Sequence, residues 1–317
     1  EESAHYLLPA QNDATYPNDK LKIIQLVDEQ HGALHAGPSF WQGRNELNDH
    51  AIGIGIVNIP TCHAPELNTA LQQHTSASKL CIYPDYDAEQ IALLIAPSIS
   101  ILERNPDIGP TQVVGHADIA PSRENDPGPR FPWYQLYQAG IGAWYDNETV
   151  EKYWQHFSVA KPSIVLMQKA LRSYGYEVIA TGQLDSQTLD ALSAFQMHFL
   201  PWHVSGNNDA RSAAVLFALL DKYFPKKLER LFQEYQQQQQ SQNLSLFDFD
   251  HDTDQHAYQN HPVTDLQPVP AWSKKQILAL EKQVLGFYIS GHPLECICDE
   301  LELWQIRPIS NISHKID

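Results

Sequence analysis

The run Val114-Gly115-His116-Ala117-Asp118-Ile119-Ala120-Pro121-Ser122-Arg123-Glu124-Asn125-Asp126-Pro127-Gly128-Pro129 decides how this chain is read. A neutral imidazole and a carboxylate are both good zinc ligands, and a turn rich in Pro and Gly can hold His116 and Asp126 rigidly. A His and an Asp at this spacing are common in solvated loops, so the pair alone is weak evidence and the whole run carries the reading. Just upstream, Gln112-Val113-Val114 reads as a strand whose C-terminal end delivers His116. Strand ends and the loops beyond them are where mixed α/β folds place their chemistry.

Taken whole, the run resembles the zinc-dependent N-acetylmuramoyl-L-alanine amidases of the AmpD/AmiD kind, whose motif reads H-A/S-D-I-A-P-x-R-K-x-D-P-G-P. Phe131-Pro132-Trp133 and Gly140-Ile141-Gly142-Ala143-Trp144 are similar to the AmiD branch in particular. The resemblance implies a mixed-sheet α/β domain flanked by helices over residues 1–150, with zinc as the cofactor. It also implies cleavage of the amide between N-acetylmuramic acid and L-alanine. That reaction needs a polarised carbonyl, a base for the attacking water and a cation for the oxyanion.

By the same resemblance, His116 and Asp126 are two of the zinc ligands. A second histidine belongs to a strand upstream of a segment like Ser3-Ala4-His5-Tyr6-Leu7-Leu8-Pro9, and this chain opens at that segment. The N-terminal strand and its ligand are therefore read as missing, which would leave a neighbouring strand with an exposed edge. The family's base is the Glu of I-G-I-E, where Ile52-Gly53-Ile54-Gly55 places Gly55. Its oxyanion lysine is replaced by Glu124. Three of the five metal and catalytic groups are thus missing or replaced. Glu124 could reach a metal or its water, although a salt-bridged surface Glu is the simpler reading. His5, His35 and His50 are the candidates for a substitute ligand. His5 and His35 are the stronger two, as ligands or substrate contacts, because His5 borders the site and His35-Ala36-Gly37 is a family motif.

Composition fits a soluble protein of two domains or more in 317 residues. No apolar run approaches the roughly eighteen residues of a membrane span. No signal peptide is visible, and a start at Glu1 reads as a processed or incomplete chain. With 38 acidic against 21 basic residues the formal charge is −17, which disfavours nucleic acid and anionic lipid as partners. Cys296-Ile297-Cys298 lacks a second pair for a thiolate zinc site, and Cys62 and Cys81 could bridge only in an oxidising compartment. All four cysteines are read as unlinked thiols.

Along the chain, Ile52–Val57 reads as a buried strand. Asp87 and Gln90 form a capping box for a helix carrying Ile91, Leu94, Ile95 and Leu102, which Pro97 should kink or interrupt. Residues 160–224 read as three helices. The first, near Ser163–Tyr174, carries Ile164, Met167 and Leu171. The second has Ser186 as cap and buries Leu189, Leu192, Phe195 and Phe199; the third runs from Ala213 to Phe224. The pattern G-x-L-D-x-x-T-x-x-A-L-x-x-F-Q in this segment resembles the small peptidoglycan-binding domain that accompanies such amidases.

Residues 225–271, with the tract Gln236–Gln240, read as a polar, largely disordered linker. Residues 272–317 read as a further helical piece, capped by Ser273 and Gln276. There Leu280–Leu294 resembles the L-G-x-Y-x-S/T-G-H-P segment of the DNA polymerase III alpha subunit. Gln242-Asn243-Leu244-Ser245-Leu246-Phe247 is similar to a sliding-clamp-binding peptide, with Gln242, Leu244, Leu246 and Phe247 as its contacts. Three functions follow: a zinc peptidoglycan amidase, a catalytically impaired peptidoglycan-binding protein, and a clamp-binding polymerase fragment. The first accounts for most of the chain and places it in the cell envelope by resemblance, with muropeptides or peptidoglycan as partner.

Overall fold

The computed structural model describes residues 3–11, 13, 15–16, 18, 20–63 and 80–245. The tail at 272–317 and the anchors Leu246 and Phe247 lie outside the described residues.

A small sheet organises the N-terminal part. β1 (Tyr6–Leu8) lies between β2 (Ile24–Gln25), antiparallel to it, and β5 (Ile54–Ile56), parallel to it, with Leu7 opposite Gly55. Between them, β3 (Phe40–Trp41) and β4 (Arg44–Asn45) form a hairpin turned by Gln42 and Gly43 at φ of 49° and 89°. Positive φ at both turn positions matches the strand twist. β5 is the strand read at 52–57, and its Ile54 and Ile56 pack against the core. Among the described residues no strand pairs with the far side of β5, so its edge is open. β6 (Thr61–His63) pairs with β7 (Leu80–Ile82), placing Cys62 across the ladder from Cys81. Cys81 is disulfide-bonded, which overturns the reading of four unlinked thiols.

The expected capping box starts α1 (Ala88–Arg104): the Glu89 N–H donates to Asp87 and the Asp87 N–H to Gln90. The Gln90 amide also donates to the carbonyls of Pro9 and Val57, each at 3.0 Å, tying the helix to the ends of β1 and β5. Pro97 does not interrupt α1. An interior proline costs about 3 kcal/mol, and buried Ile91, Leu94 and Ile101 on both sides of it offset that. Gln112–Val114 is not a strand. Residues 110–112 form a 3₁₀ turn, and His116 opens the short α2 (His116–Ile119). Pro110 at the start of that turn pre-sets a helical φ, which the β-branched pair after it does not reverse. Next comes α3 (Trp133–Gln138).

The helical part comprises α4 (Asn147–Val159), α5 (Ile164–Tyr174), α6 (Ser186–Phe199), α7 (Ala210–Tyr223) and α8 (Pro225–Ser245). Ser163 caps α5, whereas Asp185 rather than Ser186 caps α6, its carboxylate accepting the Thr188 N–H at 2.9 Å. On α7, Ala213, Ala214 and Ala218 are fully buried. These small side chains let α4 lie close, with Tyr153 and Phe157 against Phe217. The linker expected from residue 225 is helical as far as 245. Leu228 and Leu231 are buried where α8 packs on α5 and α7, so the charged and Gln-rich composition of this segment concealed an apolar seam.

Candidate metal centre

His116 and Asp126 are brought together by two local devices. The Ala117 N–H donates to the Asp126 carbonyl at 2.8 Å, closing the loop on itself. Tyr86 then holds the following residue, its hydroxyl donating to the Pro127 carbonyl at 3.0 Å. The outcome is a His116 Nδ1 only 3.3 Å from Asp126 Oδ1. Two ligands about 2.0–2.1 Å from a tetrahedral zinc lie roughly 3.3 Å apart, so the pair has the spacing of adjacent zinc ligands. On the other side of the ring, Nε2 faces the Ala36 carbonyl at 3.4 Å. A proton on Nε2 leaves the Nδ1 lone pair for a metal, the usual arrangement of a ligating imidazole with an outer carbonyl partner.

Glu124 joins them. Among the described residues, His116, Glu124 and Asp126 are the one group of three His, Cys, Asp or Glu side chains whose ligand atoms all lie within 4.8 Å of one another. Glu124 is also the salt-bridged residue foreseen: Arg123 Nη1 donates to its Oε1 at 2.8 Å. Arg123 in turn donates through Nη2 to the carbonyls of Ala36 and Pro38, at 3.1 and 3.0 Å. One guanidinium thus clips the His35-Ala36-Gly37 loop to the metal-binding loop. Burial alone would lower the His116 pKa. The hydrogen bond to Asp126 and the charges of Asp126 and Glu124 outweigh it and hold the imidazole above its ordinary value. Zinc fits this donor set, since one imidazole and two carboxylates are all ligand types it accepts.

The remaining histidines fall differently. His5 is 1% exposed. Its Nδ1 accepts the Gly53 N–H at 3.1 Å while Nε2 donates to the His31 carbonyl at 2.9 Å, so both nitrogens are committed to structure. His35 donates from Nε2 to Ala51 O at 3.2 Å, and burial lowers its pKa. Its ring lies so close over Gly53 that a Cβ there would collide with it. His35 and His50 line a cavity of about 910 Å³, as do His116, Asp126 and Gly55. Much of the lining is apolar and includes Ile54 and Ile56 of β5 together with Leu94, Ile101 and Ile141.

Sequence reasoning missed a buried network beneath the centre. Asp118 Oδ2 accepts the Gly115 N–H at 2.8 Å and a hydrogen bond from His198 Nδ1, also at 2.8 Å. Its Oδ1 accepts the Tyr176 hydroxyl at 2.5 Å. His198 is stacked between Trp133 and Phe199, with ring centroids 3.9 and 4.0 Å away. Trp41 extends the contact, packing edge-on against Tyr176 at 4.9 Å. The helical part therefore grips the carboxylate two residues from His116. Asp118 lies inside the quoted run, but nothing local in the sequence marks His198 or Tyr176 as its partners.

Residues 1–129 match the family model for N-acetylmuramoyl-L-alanine amidase, and residues 160–211 match one for a peptidoglycan binding domain. AmiD of Escherichia coli K12 is 40% identical over 225 residues, covering 70% of this chain and 74% of AmiD. The chain belongs to the N-acetylmuramoyl-L-alanine amidase family. Its architecture agrees with that membership. The crystal structure of AmpDh3 from Pseudomonas aeruginosa aligns with TM-score 0.63 at 41% identity, over 70% of this chain and 83% of that one. AmiD from E. coli in complex with anhydro-N-acetylmuramic acid-L-Ala-D-gamma-Glu-L-Lys aligns with TM-score 0.57 at 37% identity, over 70% and 81%. The two family models end at residue 211, so the polymerase-like reading of the tail gains no support from them.

Proposed function

We propose that this chain is a zinc-binding peptidoglycan amidase, directed at the amide between N-acetylmuramic acid and L-alanine. The observation that carries the reading is the 3.3 Å pairing of His116 Nδ1 with Asp126 Oδ1 at the cavity that Gly55 also lines. A zinc ion there supplies Lewis-acid polarisation of a carbonyl and activation of water. His116 and Asp126 hold the ion, the Ala36 carbonyl fixes the His116 tautomer, and His35 presents a neutral imidazole to the cavity for substrate contact. The family's ligands in solved complexes are muropeptides: an anhydromuramic pentapeptide for AmpDh3 and the tripeptide-bearing sugar for AmiD. Residues 1–150 carry the reaction and residues 160–224 bind the wall. The Cys81 disulfide supports an oxidising, envelope location. Among the described residues no helix is long and apolar enough to cross a membrane.

Gly55 and Glu124 favour a second reading, a protein that grips peptidoglycan without cutting it. Neither position offers the base or the cation that the resemblance assigns to it. Loss of a base costs about 10²–10⁴ in rate. A Cβ at residue 55 would stand 3.3 Å from Leu7 Cδ1, the end of a flexible side chain, so Gly55→Glu is sterically accessible. The test is release of stem peptides from purified sacculi with added zinc. Zinc-dependent release by the chain, rising on Gly55→Glu, supports the amidase. Binding to sacculi with background release from both proteins supports the second reading, and neither binding nor release refutes both.

A further inference from the structure

We propose that Glu124 is itself a metal ligand in this chain, adding a second carboxylate to His116 and Asp126. The inference rests on the zinc reading above and deepens it.

Three observations converge on it. The Glu124 carboxylate lies within 4.8 Å of the ligand atoms of both His116 and Asp126. It is already oriented: its backbone N–H donates to the Ala120 carbonyl at 3.0 Å, and Arg123 holds Oε1 at 2.8 Å. Arg123 is anchored in turn by two backbone carbonyls, so it acts as a fixed strut. A carboxylate steadied through one oxygen keeps lone pairs for a metal, as hydrogen-bonded carboxylate ligands generally do. Electrostatics points the same way. Arg123 pairs with Glu124 at 2.8 Å and His116 with Asp126 at 3.3 Å, and a divalent cation bound among them would be a shared counter-ion for both carboxylates. His5 is excluded as a further ligand because both its nitrogens are bonded, and neither His35 nor His50 belongs to the group of ligand atoms that lie within 4.8 Å of one another.

The consequence is a centre with one more oxygen donor, and so a harder one. Oxygen donors suit Mn²⁺ and Mg²⁺ as well as zinc, so Glu124 broadens the range of ions the site accepts while placing negative charge where an oxyanion would form.

Equilibrium dialysis of the whole chain against zinc, and separately against Mn²⁺, tests this alongside Glu124→Gln, Glu124→Lys, His116→Ala and Asp126→Ala. Thermal melts of each variant check folding. Loss of an outer partner costs roughly 10–100-fold in metal affinity, so a true ligand should cost more. The expected result is near one zinc per chain, weakened more than about 100-fold by Glu124→Gln and further by Glu124→Lys, with Mn²⁺ binding abolished by both. If Glu124→Gln binds zinc within about threefold of the unaltered chain while His116→Ala and Asp126→Ala lose it, Glu124 is no ligand and the zinc site stands without it. If all the variants bind alike, the zinc reading falls and this inference with it. The absorption spectrum of the Co²⁺-loaded chain gives a second readout, which must change on Glu124→Gln.

Discussion

Replacing Tyr176 by Phe removes one hydroxyl from the buried network and little else. The ring keeps its edge-on contact with Trp41 at 4.9 Å and its packing on Phe195. What disappears is a hydrogen bond to a carboxylate that is 2% exposed, leaving Asp118 Oδ1 without the donor that now satisfies it. Hydrogen bonds to charged groups contribute about 1.5–3 kcal/mol net. For a folded unit of this size each kcal/mol moves Tm by about 2–4 °C, so Tyr176→Phe should melt roughly 3–12 °C lower. The effect should also travel. Asp118 fixes the Gly115 N–H, and Gly115 precedes His116, so a loosened Asp118 lets the imidazole wander from Asp126. Zinc affinity should fall by about 10–100-fold, the range for an outer partner. Calorimetry and zinc dialysis on the same preparation read both quantities. A melt within 1 °C of the unaltered chain would refute the assigned strength of the hydrogen bond. A full loss of stability with unchanged zinc affinity would refute the coupling between the helical part and the metal loop.

Leu192→Ala, in the closed core of the helical part, should cost the full 2–5 kcal/mol of a buried leucine; Leu94→Ala, at the wall of the 910 Å³ cavity, should cost less in urea unfolding because one of its sides already lacks partners. Asp185→Asn should flatten the acid limb of stability. Hydrogen bonds from Thr188 and Thr181 hold the Asp185 carboxyl below its ordinary value of 3.8. Its contribution is therefore complete above that value and is lost as pH falls through the lower folded one. Urea midpoints from pH 5 to 2.5 should converge for the two proteins at the acid end, and parallel curves would refute the assignment.

Local chemistry was legible in the sequence and long-range chemistry was not. The run around His116 encodes its own closure, because Gly, Pro and short polar side chains leave few backbone choices, and the pair it holds could be named from spacing and family pattern. The capping box at Asp87 and the buried stripe of α6 were readable for the same reason: each is settled within a few residues. The grip of His198 and Tyr176 on Asp118 and the clip formed by Arg123 depend on segments tens of residues apart. Such contacts have no local periodicity to announce them. Two errors have a different origin. Val113-Val114 favours extension, but the proline-led turn before it sets the path. The start of α8 looks like linker because its sequence is mostly polar, whereas a few side chains, Leu228, Leu231 and Phe232 among them, decide that it packs.

β5 joins these strands of argument. By resemblance the strand carries Gly55 at the position of the family's base, and among the described residues its far edge is unpaired beside a largely apolar cavity. A polar muropeptide gains little from a lining of Ile54, Ile56, Leu94 and Ile141, since apolar walls leave its amides without partners. The metal chemistry must therefore concentrate where His116 and Asp126 line the cavity, beside Glu124, whose carboxylate lies within 4.8 Å of both. In this chain the metal-binding loop is held from two sides. Arg123 fastens it to the His35 loop, and Asp118 fastens it to the helical part. Its geometry consequently depends on residues from both matched domains, so separating residues 1–150 from 160–224 should cost metal affinity before it costs affinity for the wall.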